Sequence, residues 1–241
     1  MVIWLAVRSS ASQGTIRLQI ATRITATPAH GTPARLTSPA GRAVVRGMEK
    51  NRLEAFSDGV LAIIITIMVL ELKVPHDGSL AALLALWPVL LSYVLSFIYV
   101  GIYWNNHHHM MQASRRGNGV VLWANLHLLF WLSLLPFTTG WMGENQFGRW
   151  PMVAYGVDLM CCAIAYWVLQ RCLLRLHGPD SLLVRAIGRD AKGKASPLLY
   201  LIGILLAWLA SPLAGLAMFS AIALMWLVPD RRIERVIGRG E

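Results

Sequence analysis

Residues 52–74 read RLEAFSDGVLAIIITIMVLELKV, and this stretch decides the fold of the chain. It opens with charged and small polar residues and then runs apolar and β-branched, with one hydroxyl, Thr66, in its middle. A helix of this length is roughly 30 Å long, which is enough to cross the hydrocarbon core of a bilayer. The stretch therefore predicts a transmembrane helix.

The composition of the whole chain agrees with a membrane protein. Of its 241 residues, 56% are hydrophobic and only 14% are charged, whereas a soluble domain typically has about 25% charged residues. These proportions and the long apolar runs predict an all-α integral membrane protein of six transmembrane helices in a single repeat, within residues 48–230. The six runs lie near residues 52–73, 83–104, 119–142, 150–171, 196–211 and 213–229.

Two features of these runs predict how the helices are shaped. Pro88 and Pro136 fall inside the second and third runs, where we expect kinks, because membrane helices tolerate proline. The last two runs are separated only by Ser211 and Pro212. This short separation predicts a tight helical hairpin.

The basic residues predict the orientation of the chain. Of the 22 Lys and Arg residues, all but Lys73 and Arg149 lie near the termini, between helices two and three, or between helices four and five. Cytoplasmic loops of membrane proteins are rich in Lys and Arg, so both termini are expected in the cytoplasm. The net charge of +10 then reflects topology and attraction to anionic lipid headgroups. No nucleic-acid partner is expected, because no recognition motif accompanies the charge.

The two ends of the chain differ from the apolar middle. Residues 1–47 are rich in Ala, Thr, Ser, Pro and Gly, with six Arg and no acidic residue. This composition predicts a disordered basic tail. An alternative is that translation starts at Met48, directly before the first helix. Residues 231–241 are expected to form a basic cytoplasmic tail.

The start of helix one carries a motif that resembles a known family. Arg52, Phe56, Ser57 and Asp58 match R-x-x-x-F-S-D, the mark of the transmembrane protein 175 family of potassium-selective channels. The resemblance implies a multi-pass channel of the plasma membrane that conducts potassium ions and is not an enzyme. Other members carry two such repeats, so a single repeat implies a homotetramer. A single copy of helix one cannot enclose a conduit, so a pore formed by this helix also requires several copies of the chain.

One stripe of helix one is the candidate pore surface. At about 100° per residue, Ile63, Thr66 and Leu70 fall on one narrow face with Gly59. The residues alone leave open whether this face meets lipid, another helix or a pore. The resemblance implies that the aliphatic side chains constrict the pore and that Thr66 contributes to potassium selectivity. A hydrophobic constriction gates by dewetting, and the chain has no T-V-G-Y-G-like filter loop.

The topology also predicts a polar clasp between helices. Helix one begins, helix two ends and helix three begins on the same side of the membrane, so their polar residues share one depth. A carboxylate in a helix bundle is costly unless it is hydrogen-bonded, and Trp, His and Asn can donate to it. The resemblance implies that Trp104 and one or more of the three histidines pack against the F-S-D triplet. The predicted clasp comprises Arg52, Phe56, Ser57, Asp58, Trp104, His107, His108, His109 and Asn125, with Asn105 and His127 at the same depth.

Three other interpretations are weighed against the channel. Adjacent histidines point about 100° apart on a helix and cannot converge, so we expect neither a metal nor a cofactor. Asp158, inside helix four, suggests an alternative function. The chain could be a cation- or proton-coupled secondary transporter that uses Asp158 and the His107–His109 layer. Broken helices and inverted repeats would mark such a transporter, and neither is clear here. Tyr155 and Tyr166 are alternative partners that would make Asp158 structural. A membrane hydrolase would need further metal ligands at helical spacing.

Overall fold

The computed structural model describes residues 39–114, 117–178, 184 and 191–227, and for residues 39–50 and 191 it describes the backbone alone. Every regular element in this part of the chain is helical. The helices are α1 (Pro39–Leu70), α2 (Leu80–Ala85), α3 (Trp87–Ala113), α4 (Gly119–Leu132), α5 (Leu135–Glu144), α6 (Arg149–His177), α7 (Ala191–Leu205) and α8 (Pro212–Leu227), with a π-helical turn at Leu206–Ala210 between the last two.

The helices account for the six predicted runs. By length and composition, five segments can cross a membrane: Asn51–Leu70, Trp87–Ala113, Gly119–Glu144, Arg149–His177 and Lys192–Ala210. The sixth run corresponds to α8, which is apolar but has only 16 residues. The prediction of an all-helical membrane fold is therefore confirmed, with five helical segments that are long and apolar enough to span and one shorter apolar helix.

The start of α1 differs from the predicted boundary of the tail. The helix begins at Pro39, so the backbone of residues 39–47 is helical, although the sequence assigned these residues to the tail. Proline suits the first helical position, and Ala, Arg, Met, Glu and Lys follow it as good helix formers. Residues 1–38 and the predicted tail at 231–241 lie outside the described residues.

Both prolines that we expected at kinks lie in the first turn of a helix, just after a short interruption. Pro88 follows Trp87 at the start of α3, and residues 80–85 form the separate helix α2. Pro136 lies in the first turn of α5, after α4 has ended at Leu132. Proline has no N–H to donate, and an N–H in the first turn lacks an intrahelical acceptor anyway. The prolines therefore begin new helices after a break.

Helices α6, α7 and α8 approach one another closely because small residues lie between them. A Cβ atom at Gly203 of α7 would lie 2.5 Å from the Phe219 ring of α8, and one at Gly156 of α6 would collide with the same ring. Small residues commonly allow such close packing in membranes. The Tyr99 hydroxyl of α3 donates to the Phe219 carbonyl at 2.6 Å, which ties a fourth helix to this group.

Helices α7 and α8 form the predicted hairpin. Ser211 is the non-helical residue between the π-helical turn and α8, and its N–H donates to the Leu206 carbonyl at 3.0 Å. Near the other end of the pair, the Trp226 indole of α8 donates to the Ser196 hydroxyl of α7 at 2.9 Å. Helix α1 lies apart from this hairpin and packs mainly against α3, α4 and α5.

Candidate functional site

One face of α1 is buried against its own protomer. Leu61, Ile64 and Met68 are each only 2% exposed. They recur at spacings of three and four residues, which places them on one side of a helix. This face attaches α1 to α3, α4 and α5.

The opposite face of α1, which we call the stripe, comprises Ile63, Thr66 and Leu70. Ile63 is 58% exposed and Leu70 is 81% exposed, and Thr66 is exposed between them. Large aliphatic side chains on a membrane helix must meet either lipid or another protein surface. The stripe is therefore the side of α1 that the protomer itself leaves uncovered.

The hydroxyl of Thr66 is oriented by its own helix. Its Oγ1 donates to the Ile63 carbonyl at 2.8 Å. A hydroxyl has one hydrogen and two lone pairs, so a hydroxyl that has committed its hydrogen offers only acceptor capacity. On this exposed face, Thr66 presents oxygen lone pairs, which are suited to a cation.

The centre of the polar contacts of residues 54–58, midway along α1, is Asn125 of α4, which is 0% exposed. The Ser57 hydroxyl donates to the Leu53 carbonyl at 2.9 Å, so its oxygen accepts from Asn125 Nδ2, also at 2.9 Å. This leaves Asn125 Oδ1 facing His107 Nε2 of α3 at 2.8 Å. Because an amide oxygen only accepts, the chain of bonds assigns the hydrogen to His107 Nε2. One amide thus joins three helices.

A second set of contacts lies beside this centre, between α1 and α3. The Trp104 indole donates to Asp58 Oδ1 at 3.1 Å. His108 Nδ1 lies 3.1 Å from Glu54 Oε1, and its ring stacks on Trp104 with centroids 5.8 Å apart. Among the described contacts, Asp58 therefore meets the tryptophan, while His108 meets a carboxylate one turn earlier on α1.

The structure does not bring every predicted clasp residue into these contacts. Arg52 and Phe56 lie on the exposed side of α1, where Phe56 is 53% exposed. Phe56 precedes Ser57 by one residue, which rotates it by about 100° away from α4. His109 Nδ1 has no hydrogen-bond partner among the described residues. His127 accepts from Trp131 of its own helix at 3.0 Å.

Asp158 is buried inside the protomer at 3% exposure. Its Oδ2 accepts from the Thr138 hydroxyl of α5 at 3.0 Å, and its Oδ1 has no hydrogen-bond partner among the described residues. The two tyrosines weighed as partners bond elsewhere: Tyr155 pairs with Ser96, and Tyr166 donates to a backbone carbonyl of α3. The hydrogen-bond partner of Asp158 is therefore Thr138 and not one of the tyrosines that the sequence suggested.

The described residues contain no group of three or more His, Cys, Asp or Glu arranged to hold a metal ion. The ring nitrogens of His107 and His108 point to different partners, Asn125 and Glu54. This divergence follows from the angle of about 100° between successive side chains on a helix.

Comparison with known proteins identifies the family. The model of the family described as endosomal/lysosomal potassium channel TMEM175 matches residues 52–136. A potassium channel from Chryseobacterium sp. is 52% identical over 188 residues, which cover 78% of this chain and 97% of that protein. The chain belongs to the TMEM175 family.

A TMEM175 relative from Chamaesiphon minutus has a solved structure. The crystal structure of this lysosomal potassium-selective channel TMEM175 homolog matches with a TM-score of 0.66 and 30% identity, over 75% of this chain and 97% of that one. The human endosomal/lysosomal proton channel TMEM175 is 34% identical over 116 residues, which cover 43% of this chain but only 23% of the human protein. The likeness to the bacterial proteins therefore extends over nearly their whole length.

The TMEM175 match at 52–136 spans both the stripe and the Asn125 contacts, and it ends before Asp158. Glu54 and Thr138 are among the residues that take part in contacts and that sequence reasoning missed. Glu54 could have been found, because it precedes Asp58 by four residues and so shares its helix face. Thr138 carried no such signal, since its position depends on the break between α4 and α5.

Proposed function

We propose that this chain forms a potassium-selective channel, a homotetramer of the plasma membrane whose pore is lined by α1. The observation that carries the proposal is the exposure of Ile63, Thr66 and Leu70 on the side of α1 that faces away from its own protomer. Support also comes from the bacterial relatives, which are named potassium channels and are covered over 97% and 86% of their length. Both termini lie in the cytoplasm in this proposal.

Four stripes around one axis would form the conduit. A single stripe cannot enclose ions, whereas cyclic symmetry places identical surfaces around a common axis. Rings of Ile63 and Leu70 supply no ligands to replace the hydration shell of an ion, so a narrow ring of this kind closes by dewetting. The pore would conduct when these rings widen enough to hydrate.

Thr66 would contribute to selectivity through its oxygen. The bond from its hydroxyl to the Ile63 carbonyl directs the lone pairs away from the helix. Lone pairs from four copies can replace part of the hydration shell of potassium, as carbonyl oxygens do in other filters. No backbone filter is then needed.

The Asn125 contacts would hold each α1 at a fixed rotation. A hydrogen-bonded amide between Ser57 and His107 orients α1 about its axis, and a rotation of about 100° would exchange the stripe for another face. The contacts of Asp58 with Trp104 and of Glu54 with His108 also fix the rotation of α1, by connecting it to α3. In the proposal these residues position the pore helix and do not contact ions.

The test is single-channel recording of the purified chain in a bilayer, with potassium on one side and sodium on the other. We expect resolvable unitary currents that reverse toward the potassium equilibrium potential. A coupled transporter turns over too slowly to give unitary currents. Tracer flux without such currents, lost in Asp158→Asn, would instead support the transporter that uses Asp158 and the His107–His109 layer.

Proton conduction is the second candidate, because the mammalian relatives are named proton channels. Potassium conduction is the preferred candidate, because this chain covers only 23% of the human protein but almost all of the bacterial potassium channel. A pH gradient with equal potassium on both sides separates the two. A reversal potential that follows the pH gradient would favour protons, and one that stays near zero would favour potassium.

A further inference from the structure

A cavity lies inside the protomer, among α3, α6, α7 and α8. Water centres can occupy ≈ 30 Å³ of it, and one water molecule needs about 10–15 Å³ on this measure. The cavity thus has room for about two waters or for one small organic molecule. Its aromatic wall consists of Tyr99, Tyr103, Tyr166, Trp167, Tyr200 and Trp226.

Several polar groups of this wall are bonded within the protein. The Tyr99 hydroxyl donates to a backbone carbonyl of α8 at 2.6 Å. The Trp226 indole donates to the Ser196 hydroxyl at 2.9 Å, and the Tyr166 hydroxyl donates to the Asn106 backbone carbonyl at 3.3 Å. These bonds join the four helices around the cavity and use the hydrogens of their donors.

Two polar groups of the wall keep hydrogen-bonding capacity. Tyr103 is 8% exposed, and its hydroxyl forms no hydrogen bond with another described residue. The side-chain N–H of Asn106 donates to the Ile102 carbonyl at 2.8 Å, which leaves the amide oxygen of Asn106 as an acceptor. A buried donor without a partner is costly. A hydroxyl could accept from Tyr103 and donate to Asn106.

The charge of the wall narrows the class of ligand further. None of the described residues that line the cavity carries a charge. An ion that left water for this cavity would find no partner of opposite charge to offset its desolvation. The cavity therefore suits an uncharged molecule that has an apolar body and one hydroxyl.

The turn of α3 that lines the cavity also contacts the proposed pore helix. Trp104 follows Tyr103 directly and donates to Asp58 of α1 at 3.1 Å. His107 follows Asn106 directly and meets the amide of α4 that joins three helices. A ligand that bonds to Tyr103 and Asn106 therefore acts on the same turn that sets the rotation of α1.

We propose that the cavity binds a small uncharged molecule with a hydroxyl group, and that the bound molecule changes the opening of the channel through α3. The binding itself requires only the protomer. The effect on opening rests on the proposed function, since it requires α1 to line a pore.

Trichloroethanol is the probe for binding, because it joins a hydroxyl to a small apolar body whose chlorine atoms quench tryptophan fluorescence. Trp167 and Trp226 line the cavity, so the probe should quench the fluorescence of the purified chain saturably in mild detergent. Ala163 also lines the cavity, from α6. Ala163→Leu fills the space and should abolish the saturable part, while quenching by probe dissolved in the detergent continues to rise linearly.

Trichloroethane lacks the hydroxyl and so tests the hydrogen bonds. After correction for partition into detergent, the parent should bind the alcohol about fivefold more tightly than trichloroethane. Tyr103→Phe keeps the aromatic ring and should reduce this preference. Tyr93→Phe is the control, because Tyr93 belongs to the same helix but does not line the cavity. These two conservative variants decide the role of the hydroxyl even if Ala163→Leu does not assemble.

Bilayer recordings test the effect on the channel. The open probability of the parent should change at the alcohol concentration that half-saturates the quenching, and Ala163→Leu should not respond. Absence of saturable quenching in the parent, or an unchanged preference for the alcohol in Tyr103→Phe, would overturn the site. Saturable quenching without a change in current would overturn the effect on opening. Absence of potassium current from the parent would reject the proposed function and that effect with it, while the binding result would stand.

Discussion

Helix α1 presents aliphatic side chains on two faces, and these faces have different surroundings. Leu61 and Met68 are 2% exposed, whereas Ile63 and Leu70 are 58% and 81% exposed on the other side. The residue types on the two faces are nearly the same, so hydropathy does not distinguish them. The comparison teaches that burial within the protomer, and not composition, identifies the surface that is left for a pore or a partner.

Leu61→Asn should give the largest effect, and it acts on stability. The change removes a fully packed side chain and buries an amide without partners, which should lower the free energy of unfolding by about 3–5 kcal/mol. Thermal denaturation followed by size-exclusion chromatography in mild detergent measures it. The matched variant on the other face is Ile63→Asn, which should change the melting temperature little. Equal losses in the two variants would break the distinction between the faces.

Asn125→Leu comes next, because it removes the amide that joins three helices. The change leaves the Ser57 oxygen and the His107 N–H without partners, at a cost of about 2–4 kcal/mol. Asp58→Asn is the control, since its amide oxygen can still accept from Trp104 and should cost about 1 kcal/mol or less. The melting temperatures of both variants provide the measurement. A larger loss in Asp58→Asn would mean that the carboxylate, and not Asn125, is the centre of these contacts.

The relation between Asp58 and Asn125 shows what the sequence could predict. Topology alone places the start of the first membrane span at Asn51, the end of α3 and the start of α4 at one depth, so it predicts which helices exchange polar contacts. The rotation of each helix depends on how its apolar face packs, which no local pattern encodes. For this reason the sequence placed Asp58 at the centre and left the histidine open, while the structure pairs His107 with Asn125 and His108 with Glu54.

The prolines show a similar limit in the fold. Pro88 and Pro136 were expected at kinks inside the second and third predicted helices, and each lies in the first turn after an interruption of one or two residues. Proline disfavours the helical conformation of the residue before it and is well tolerated in a first turn, so a kink and a restart share the same sequence signal. The restart at α5 places Thr138 against Asp158. That contact could not be predicted without the break.

Ile63→Asn should change conduction more than it changes stability. An amide in place of each Ile63 side chain would hydrate the proposed pore ring, so unitary conductance should rise several-fold and potassium preference should weaken. Leu201→Asn in α7 is the matched control, because Leu201 is also an exposed aliphatic residue, at 43% exposure. It should leave both quantities unchanged. Similar currents in the two variants would mean that the stripe of α1 is an ordinary lipid-facing surface.

Substitutions of Thr66, on the exposed face, should have the smallest effect, because the oxygen can be removed with little change in the shape of the side chain. Thr66→Val replaces the hydroxyl with a methyl group, so each copy in the proposed ring loses the acceptor that its bond to the Ile63 carbonyl orients outward. A loss of about 1 kcal/mol in the preference for potassium would lower the permeability ratio of potassium to sodium roughly fivefold.

Thr66→Ser keeps the oxygen and its helix bond, so the permeability ratio of this variant should stay close to that of the parent. Reversal potentials in opposed potassium and sodium solutions measure the ratio for both variants, and unitary conductance shows whether the pore width has changed. A parent-like ratio in Thr66→Val would mean that the hydroxyl does not act on the ions. Equal losses in Thr66→Val and Thr66→Ser would point to the shape of the side chain, since only one of them lacks the oxygen.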